Sequence, residues 1–196
     1  MAFVPIGTTD GSDWHGKLRE VELAAGVANT FLGDMLSLSG TGSADGRAEG
    51  VILGVAGPSV AGASAANLAG AVVEFTPDFT DEGSLVRNFH LTGAAQLAKL
   101  VYGNDVIYEA PVIGAGLAIT DIGTNREISV GAGGSTITGV GTHGIDGASA
   151  PVALSQLRII GASKTEDDSA LAITDIGATW RCRLNASVDD HRVVGA

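Results

Sequence analysis

The chain of 196 residues has little of the chemistry on which most catalytic and metal sites depend. It contains a single cysteine, Cys182, so it cannot form an intramolecular disulfide. Its four histidines are far apart in the sequence, and none forms the His-x-His or His-x3-His spacing typical of zinc ligands. No nucleophile, base and orienting group can be identified together. We therefore predict no catalytic residue, no cofactor-binding residue and no metal ligand, and we expect a protein that is not an enzyme.

Basic residues are also few. Lysine and arginine number 11 against 22 acidic residues, which gives a net charge of −11. No basic cluster provides the electrostatic footprint of a nucleic-acid binder, and the acidity repels DNA and anionic membranes. Residues 51–73 carry no charge and are long enough to span a bilayer, but glycine, proline, serine and asparagine interrupt them. They predict strand, loop and strand, and we expect neither a nucleic-acid nor a membrane partner.

Glycine, by contrast, is abundant, at 29 of 196 residues, and apolar residues make up 45% of the chain. This composition favours many short strands joined by tight turns. Only residues 94–100 favour a short helix, because Leu97 and Leu100 have helical spacing among helix-forming residues. We predict a mainly β fold of short antiparallel strands in a barrel-like or sandwich domain, with at most short helices. The strand-like runs are residues 17–23, 34–38, 50–56, 71–76, 85–91, 105–109, 125–130, 151–160 and 179–185.

The heptapeptide Leu-Ala-Ile-Thr-Asp-Ile-Gly (LAITDIG) occurs twice, at residues 117–123 and 171–177. A strand-like run precedes and follows each copy, so the repeat predicts a duplicated strand–LAITDIG–strand unit at about residues 105–130 and 156–185. Neither copy contains a histidine, cysteine or lysine. We expect the two corners to superpose and to be architectural rather than catalytic.

Two of the repeated residues have properties suited to a turn. Asp121, with its counterpart Asp175, is of a type that forms turns through its side chain, and Gly123 is suited to a positive φ angle. We interpret both aspartates as turn-forming.

The chain divides into an N-terminal arm, residues 1–15, and a single β-rich domain, residues 16–196. The arm carries apolar residues at irregular intervals, among them Phe3, Val4 and Trp14. It either docks on a neighbouring molecule or lies along its own domain, and the sequence leaves both interpretations open.

Several loop motifs imitate ligand-binding sequences without their context. Gly11-x4-Gly16-Lys17 matches part of a phosphate-binding loop, but Leu18 replaces the serine or threonine that holds magnesium, and no strand precedes it. Residues 131–146 resemble a phosphate cradle only in composition, and we expect an exposed flexible loop. Residues 78–82 lack the order of a calcium loop and predict a solvated acidic turn.

Taken in order, eight segments resemble the head decoration or cement proteins of tailed bacteriophages. The segments are FLGDMLSL (31–38), GVILGV (50–55), VEFTPD (73–78), NDVIYE (104–109), ITDIGTN (119–125), ISVGAGGST (128–136), LRIIG (157–161) and TWRCRLN (179–185). Residues 1–30 lie outside the resemblance.

The resemblance implies a β-rich virion structural protein that binds the outer face of an assembled capsid. Such proteins commonly form homotrimers that tie neighbouring major capsid subunits together, and they have no catalytic residues to carry over. The expected partners are therefore the major capsid protein and further copies of this chain. The alternative is a tail-fibre or receptor-binding virion protein that recognises host glycans through residues 78–82 and 131–146.

Overall fold

The computed structural model describes residues 2–42, 49–53, 68–77, 87–131, 133–151, 155–163 and 172–185. The described part is built from strands and two single-turn 3-10 helices, Trp14–Gly16 and Ile119–Asp121, so the predicted mainly β fold is confirmed. The strands are β1 (Val4–Thr8), β2 (Leu18–Leu23), β3 (Thr30–Phe31), β4 (Met35–Gly42), β5 (Glu49–Leu53), β6 (Leu68–Phe75), β7 (Phe89–His90), β8 (Gln96–Val101), β9 (Val106–Ile113), β10 (Asn125–Ser129), β11 (Gly144–Asp146), β12 (Leu157–Ala162) and β13 (Thr179–Leu184).

Five strands of the N-terminal half form a closed barrel in the order β2-β5-β4-β6-β8. Apolar residues recur at every second position in these strands, and alternate side chains of a strand point to the same side. The apolar side chains therefore face the inside of the barrel. In β2, Val21 and Leu23 are fully buried, and in β8 Ala98 and Leu100 are. The alternation predicted for residues 17–23 is therefore confirmed.

The C-terminal half forms a second curved sheet in the order β9-β11-β10-β12-β13, and β13 pairs back with β9. The strand pairings therefore form a closed ring, and we call this sheet the second barrel. Trp180, Cys182 and Leu184 of β13 are buried, as their alternation with arginines predicts. β1 adds to β9 as a further antiparallel strand.

One apolar core joins the two barrels. Met35 and Leu68 of the first barrel belong to the same buried cluster as Tyr108 and Trp180 of the second. The hydroxyl of Tyr108 donates a hydrogen bond of 2.9 Å to the carbonyl of Val101 across this junction. The barrels therefore pack as one body.

The helix favoured by residues 94–100 is wrong, because β8 occupies Gln96–Val101. β8 lies between β2 and β6 and hydrogen-bonds to both. Two neighbouring strands thus satisfy its backbone, and its apolar residues are buried in alternation. The tertiary context outweighs a weak local helix preference.

The exposed loop predicted for residues 131–146 is also partly wrong. It contains β11 (Gly144–Asp146), which pairs with β9 and β10. His143 and Ile145 are buried, whereas Ile137 is 95% exposed. Glycine-rich composition here reflects close packing as well as turns.

The apolar segment at residues 51–73 contributes the end of β5 and most of β6, and residues 54–67 lie outside the described part. Among the described residues, none of the helices has the length and apolar character to cross a bilayer.

The N-terminal arm lies along its own domain. Its strand β1 pairs with β9, and the N–H of Phe3 donates to the carbonyl of Gly33 at 3.1 Å. Phe3 is 1% exposed and meets Tyr108 edge-to-face, with ring centroids 6.4 Å apart. The arm is therefore part of the core.

Replacing Phe3 with alanine should lower the free energy of unfolding by about 3–5 kcal/mol, because it leaves a cavity in the shared core. Val4→Ala is the matched control: Val4 is the next residue but is 45% exposed, so its loss should cost less than about 1 kcal/mol. Urea unfolding of both variants measures the difference. Equal costs would contradict the core role of the arm.

Candidate functional site

The two LAITDIG corners close in the same way. The Oδ2 atom of Asp121 accepts a hydrogen bond from the N–H of Ala118 at 2.8 Å. The Oδ2 atom of Asp175 accepts the equivalent bond from Ala172 at 2.9 Å. Each aspartate therefore holds its own corner by satisfying a backbone donor, as the turn-forming interpretation predicts.

The corners also dock identically on strands. Gly123 has a φ of 83°; its N–H donates to the carbonyl of Ile159 at 2.9 Å, and the N–H of Ile159 donates back to Thr124 at 2.9 Å. Gly177 has a φ of 92° and donates to the carbonyl of Val112 at 2.8 Å. A positive φ favours glycine, which explains why both copies end in this residue.

Each corner docks on a strand of the other unit. The corner of the first unit binds β12 of the second, and the corner of the second binds β9 of the first. The residue just before the first corner lies against the second corner, because a Cβ on Gly116 would lie 1.6 Å from the carbonyl oxygen of Thr174. The two corners therefore lie side by side at one end of the C-terminal barrel, and each leads into a strand as predicted.

Different side chains anchor the two corners at equivalent positions. In the first, Arg126 donates to Oδ1 of Asp121 at 2.5 Å. In the second, Trp180 donates its indole N–H to the carbonyl of Ile173 at 2.9 Å. Burial raises the pKa of Asp121, but hydrogen bonds from the Ala118 N–H and Arg126 outweigh it, and the net effect lowers that pKa. The carboxylate of the first corner is therefore ionised and paired.

Large apolar side chains remain exposed at this end of the barrel. Ile119, Ile122 and Ile176 of the two corners are 66%, 47% and 60% exposed, and neighbouring Ile160 is 36% exposed. Ile173, the counterpart of Ile119 in the second corner, instead packs against the core. Exposed apolar side chains are common on protein surfaces, so their exposure alone does not mark an interaction site.

A second feature lies where residues 133–143, the glycine loop, cross onto the N-terminal barrel. Leu32 pairs with the loop on both sides, since its N–H donates to Gly139 at 2.8 Å and its carbonyl accepts from Gly141 at 2.9 Å. A Cβ on Gly134 would lie 2.3 Å from the ring of Phe31. The loop is therefore held against the fold by backbone contacts that need glycine.

Beneath the glycine loop lies a buried pair, Asp34 and His143, which are 2% and 3% exposed. Nδ1 of His143 accepts from the N–H of Met35 at 3.1 Å, and Oδ2 of Asp34 accepts from the N–H of Phe31 at 2.9 Å. Nε2 and Oδ1 of the pair lie 3.6 Å apart. Because Nδ1 is an acceptor, the imidazole is neutral and directs its Nε2 proton towards the carboxyl group.

Burial shifts the pKa values of Asp34 and His143 in opposite directions. It raises the pKa of Asp34 to about 7, a shift that the Phe31 N–H partly offsets, and it lowers the pKa of His143 to about 4. At mildly acidic pH the folded pair therefore holds its proton on the carboxyl group, whereas in the unfolded chain the imidazole holds it.

Two cavities adjoin these features. One of about 630 Å³ lies against the buried pair and includes Asn29, Phe31, Thr92 and Thr136 in its lining. The other, of about 660 Å³, runs beside β1. Its lining has no charged residue; the lining comprises Ala2, Phe3, Val4, Pro5, Trp14, Leu32, Gly33, Val72, Val73, Thr138 and Val140.

The described residues of the loop motifs take part in structural contacts. Lys17 forms an ion pair of 3.1 Å with Asp105, and His15 stacks on Trp14 at 4.1 Å. Cys182 is fully buried, and burial raises the pKa of its thiol. Within the described ranges, no three potential ligands lie close enough to hold a metal ion. The acidic turn at residues 78–82 lies outside those ranges.

No protein-family model, no curated protein and no solved structure matches this chain.

Replacing the two equivalent aspartates should have unequal effects. Asp175→Ala removes one backbone hydrogen bond and should cost about 1 kcal/mol. Asp121→Ala removes the same bond and also leaves the buried Arg126 charge without its carboxylate, so it should cost about 2–4 kcal/mol. Thermal or urea unfolding near neutral pH compares them. Because the pKa of Asp121 is lowered, its stabilisation is present above its unfolded pKa and disappears as the pH falls through its folded pKa.

The Asp34 and His143 pair predicts a hidden pH dependence. Asp34 alone would stabilise the fold at low pH and lose that effect as the pH rises to about 7, whereas His143 alone would lose its effect as the pH falls from about 6.5 to 4. The two nearly cancel in the native protein. Asp34→Asn leaves only the histidine, so the variant should lose roughly 3 kcal/mol relative to the native protein between about pH 7.5 and 4.5. Parallel pH dependences in urea unfolding would refute this.

Proposed function

We propose that this chain is a capsid decoration protein of a tailed bacteriophage. It acts as a homotrimer on the outer face of the head and stabilises contacts between major capsid subunits. The observation that carries the proposal is the type of surface that the described residues present. Exposed apolar side chains and an open strand edge lie on the surface of the joined barrels, and the described residues bring no three potential metal ligands together. The ordered resemblance across residues 31–185 supports it.

The rigidity of the body supports a clamping role. One buried apolar cluster extends across both barrels, and each corner of the duplicated unit is hydrogen-bonded to a strand of the other unit. A clamp resists shell expansion only if it does not itself deform, and a close-packed interior transmits strain. Many modest contacts, repeated by the symmetry of the shell, are sufficient for strong attachment.

The edge of β1 supplies one surface suited to such contacts. In the described residues β1 pairs with β9 only, and Val4 and Ile6 on it are 45% and 41% exposed. The uncharged groove of about 660 Å³ runs beside it. An open strand edge next to an apolar groove is suited to pairing with an extended segment of a neighbour.

The charge of the chain supports an external position. A protein with a net charge of −11 is repelled by packaged DNA, which favours the outer over the inner face of a head.

Adding the purified protein to heads prepared without it should raise the temperature at which those heads release DNA and should protect them from osmotic shock. The physical reason is that bound protein stabilises only the intact shell. The Phe3→Ala variant, unfolded by warming before addition, is the control for non-specific protein effects. Unchanged heat and shock resistance with the folded native protein would contradict the proposal.

A tail-fibre or receptor-binding role remains the second candidate, and the cavity of about 630 Å³ favours it. An aromatic ring, Phe31, and the uncharged polar residues Asn29, Thr92 and Thr136 line that cavity beside the glycine loop. Such a lining is suited to sugar hydroxyls. Binding to a glycan array, together with a low copy number per particle, would support this role over the decoration role.

A further inference from the structure

The outer wall of the second barrel brings three arginines together. Arg158 on β12 and Arg183 on β13 are direct cross-strand partners, and Arg181 lies two residues before Arg183 on the same strand. The intervening residues Ile159 and Cys182 are buried, so the three arginine side chains project outwards. We call these three residues the arginine patch.

The sheet does not neutralise the positive charge of the arginine patch. Arg181 donates its Nε proton to Oε1 of Glu109 at 3.1 Å, which occupies one of its five N–H donors. Within the described part of the chain, Arg158 and Arg183 form no ion pair. Like charges that face each other directly across a strand pair are destabilising, so this arrangement does not serve the stability of the sheet.

Guanidinium groups in this arrangement are suited to carboxylates held on a strand. Directly opposite residues of an antiparallel pair have Cβ atoms roughly 5 Å apart, and residues two apart on a strand are separated by about 6.6 Å. Each guanidinium offers a planar pair of N–H donors that matches the two oxygens of a carboxylate. The arginine patch therefore fits a surface that presents carboxylates at strand spacing.

The outer wall of the first barrel presents carboxylates at that spacing. Glu20 and Glu22 of β2 lie on either side of the fully buried Val21, so both project outwards. Lys99 faces Glu20 across the strand pair, but it donates to Glu74 at 2.9 Å. Among the residues that the structure describes, neither Glu20 nor Glu22 has an ion-pair partner. We call Glu20 and Glu22 the acidic strand face.

Each of the two surfaces also includes an exposed apolar side chain. Leu18 lies two residues before Glu20 on β2 and is 40% exposed, and Ile160 lies two residues after Arg158 on β12 and is 36% exposed. Complementary charges set the orientation and rate of association, while burial of apolar area supplies attraction. The two surfaces therefore offer both components of a contact.

We propose that the arginine patch of one copy of this chain binds the acidic strand face of a second copy. The inference rests on the proposed homotrimer and assigns the contact within it. The two surfaces lie on different barrels, so each copy uses one surface for one neighbour and the other surface for the next. Such head-to-tail contacts generate a closed ring when their rotation closes, and a closed ring of three copies is a homotrimer.

The charge of the chain favours a second copy over nucleic acid as the occupant. A nucleic-acid site neutralises many phosphates along a broad basic track, whereas the arginine patch is three residues in a chain of net charge −11. A second copy repels the first at long range, but salt screens that repulsion. At contact distance, the paired carboxylates and guanidinium groups attract each other directly.

The test reverses the charge of each surface and then of both. The patch variant carries Arg158→Glu and Arg183→Glu, the face variant carries Glu20→Lys and Glu22→Lys, and the combined variant carries all four substitutions. Self-association is measured by sedimentation velocity over a range of concentrations near neutral pH, and urea unfolding checks that each variant is folded. We expect self-association of the patch and face variants to be roughly tenfold weaker or more, because like charges then meet at the contact. We expect the combined variant to recover native self-association to within about threefold, because opposite charges meet again.

Overall charge is controlled within the same set of variants. The combined variant keeps the native net charge, since its two pairs of substitutions cancel. The face variant is less acidic than the native protein, so general repulsion between copies predicts stronger self-association for it, whereas the proposed contact predicts weaker self-association. Stronger or unchanged self-association of the face variant, or a combined variant that does not recover, would refute the contact.

Binding to heads prepared without the protein, measured by co-sedimentation, separates this inference from the decoration function. A native protein that binds and stabilises heads but stays monomeric in solution overturns the inference and leaves a decoration role without the homotrimer. A native protein that self-associates with the expected recovery but does not bind heads supports the inference and contradicts the decoration function. A patch variant that self-associates normally and no longer binds heads would assign the arginine patch to the shell and overturn the inference.

Discussion

The reciprocal docking of the two corners is the constraint on which the C-terminal barrel depends. Val112 and Ile159 each have a backbone donor and acceptor that the corner of the other unit satisfies. An unpaired backbone N–H or C=O group in the folded interior costs free energy. The strand of each unit therefore depends on the corner of the other unit to satisfy these groups. This exchange requires both the aspartate and the glycine of each corner. The aspartate holds the corner closed, and the glycine allows the backbone of the corner to reach the strand.

The sequence predicts those parts of the fold that depend on neighbouring residues, and it fails where a conformation depends on residues distant in the chain. β2 and β13 can be predicted because apolar and polar residues alternate along each strand, and this pattern is visible in consecutive residues. β8 cannot, because its strand conformation comes from β2 and β6, which are distant in sequence. The prediction of an exposed loop at residues 131–146 is partly wrong because glycine is typical of turns and of close contacts alike, and only the position of Phe31 against Gly134 distinguishes them.

The same limitation applies to the candidate sites. Asp34 and His143 are separated by more than a hundred residues, and no local pattern relates them, although they form a deeply buried polar pair at the junction of the barrels. Their opposite responses to burial keep the junction neutral: the proton that the imidazole gives up is held by the carboxyl group. A neutral pair avoids the large cost of an isolated buried charge. The barrels can thus be joined through polar groups without making the junction strongly dependent on pH.

The repeat also shows which residues the corner itself needs. A duplicated unit provides two positions under the same geometric demands, and residues that serve only packing differ with their different neighbours, as Ile128 and Cys182 do. The aspartate lacks that freedom, because Asp121 and Asp175 each accept a backbone hydrogen bond that closes their own corner. The glycine lacks it too, because Gly123 and Gly177 take a positive φ angle where each corner meets a strand of the other unit. The corner is therefore architectural in its aspartate and glycine.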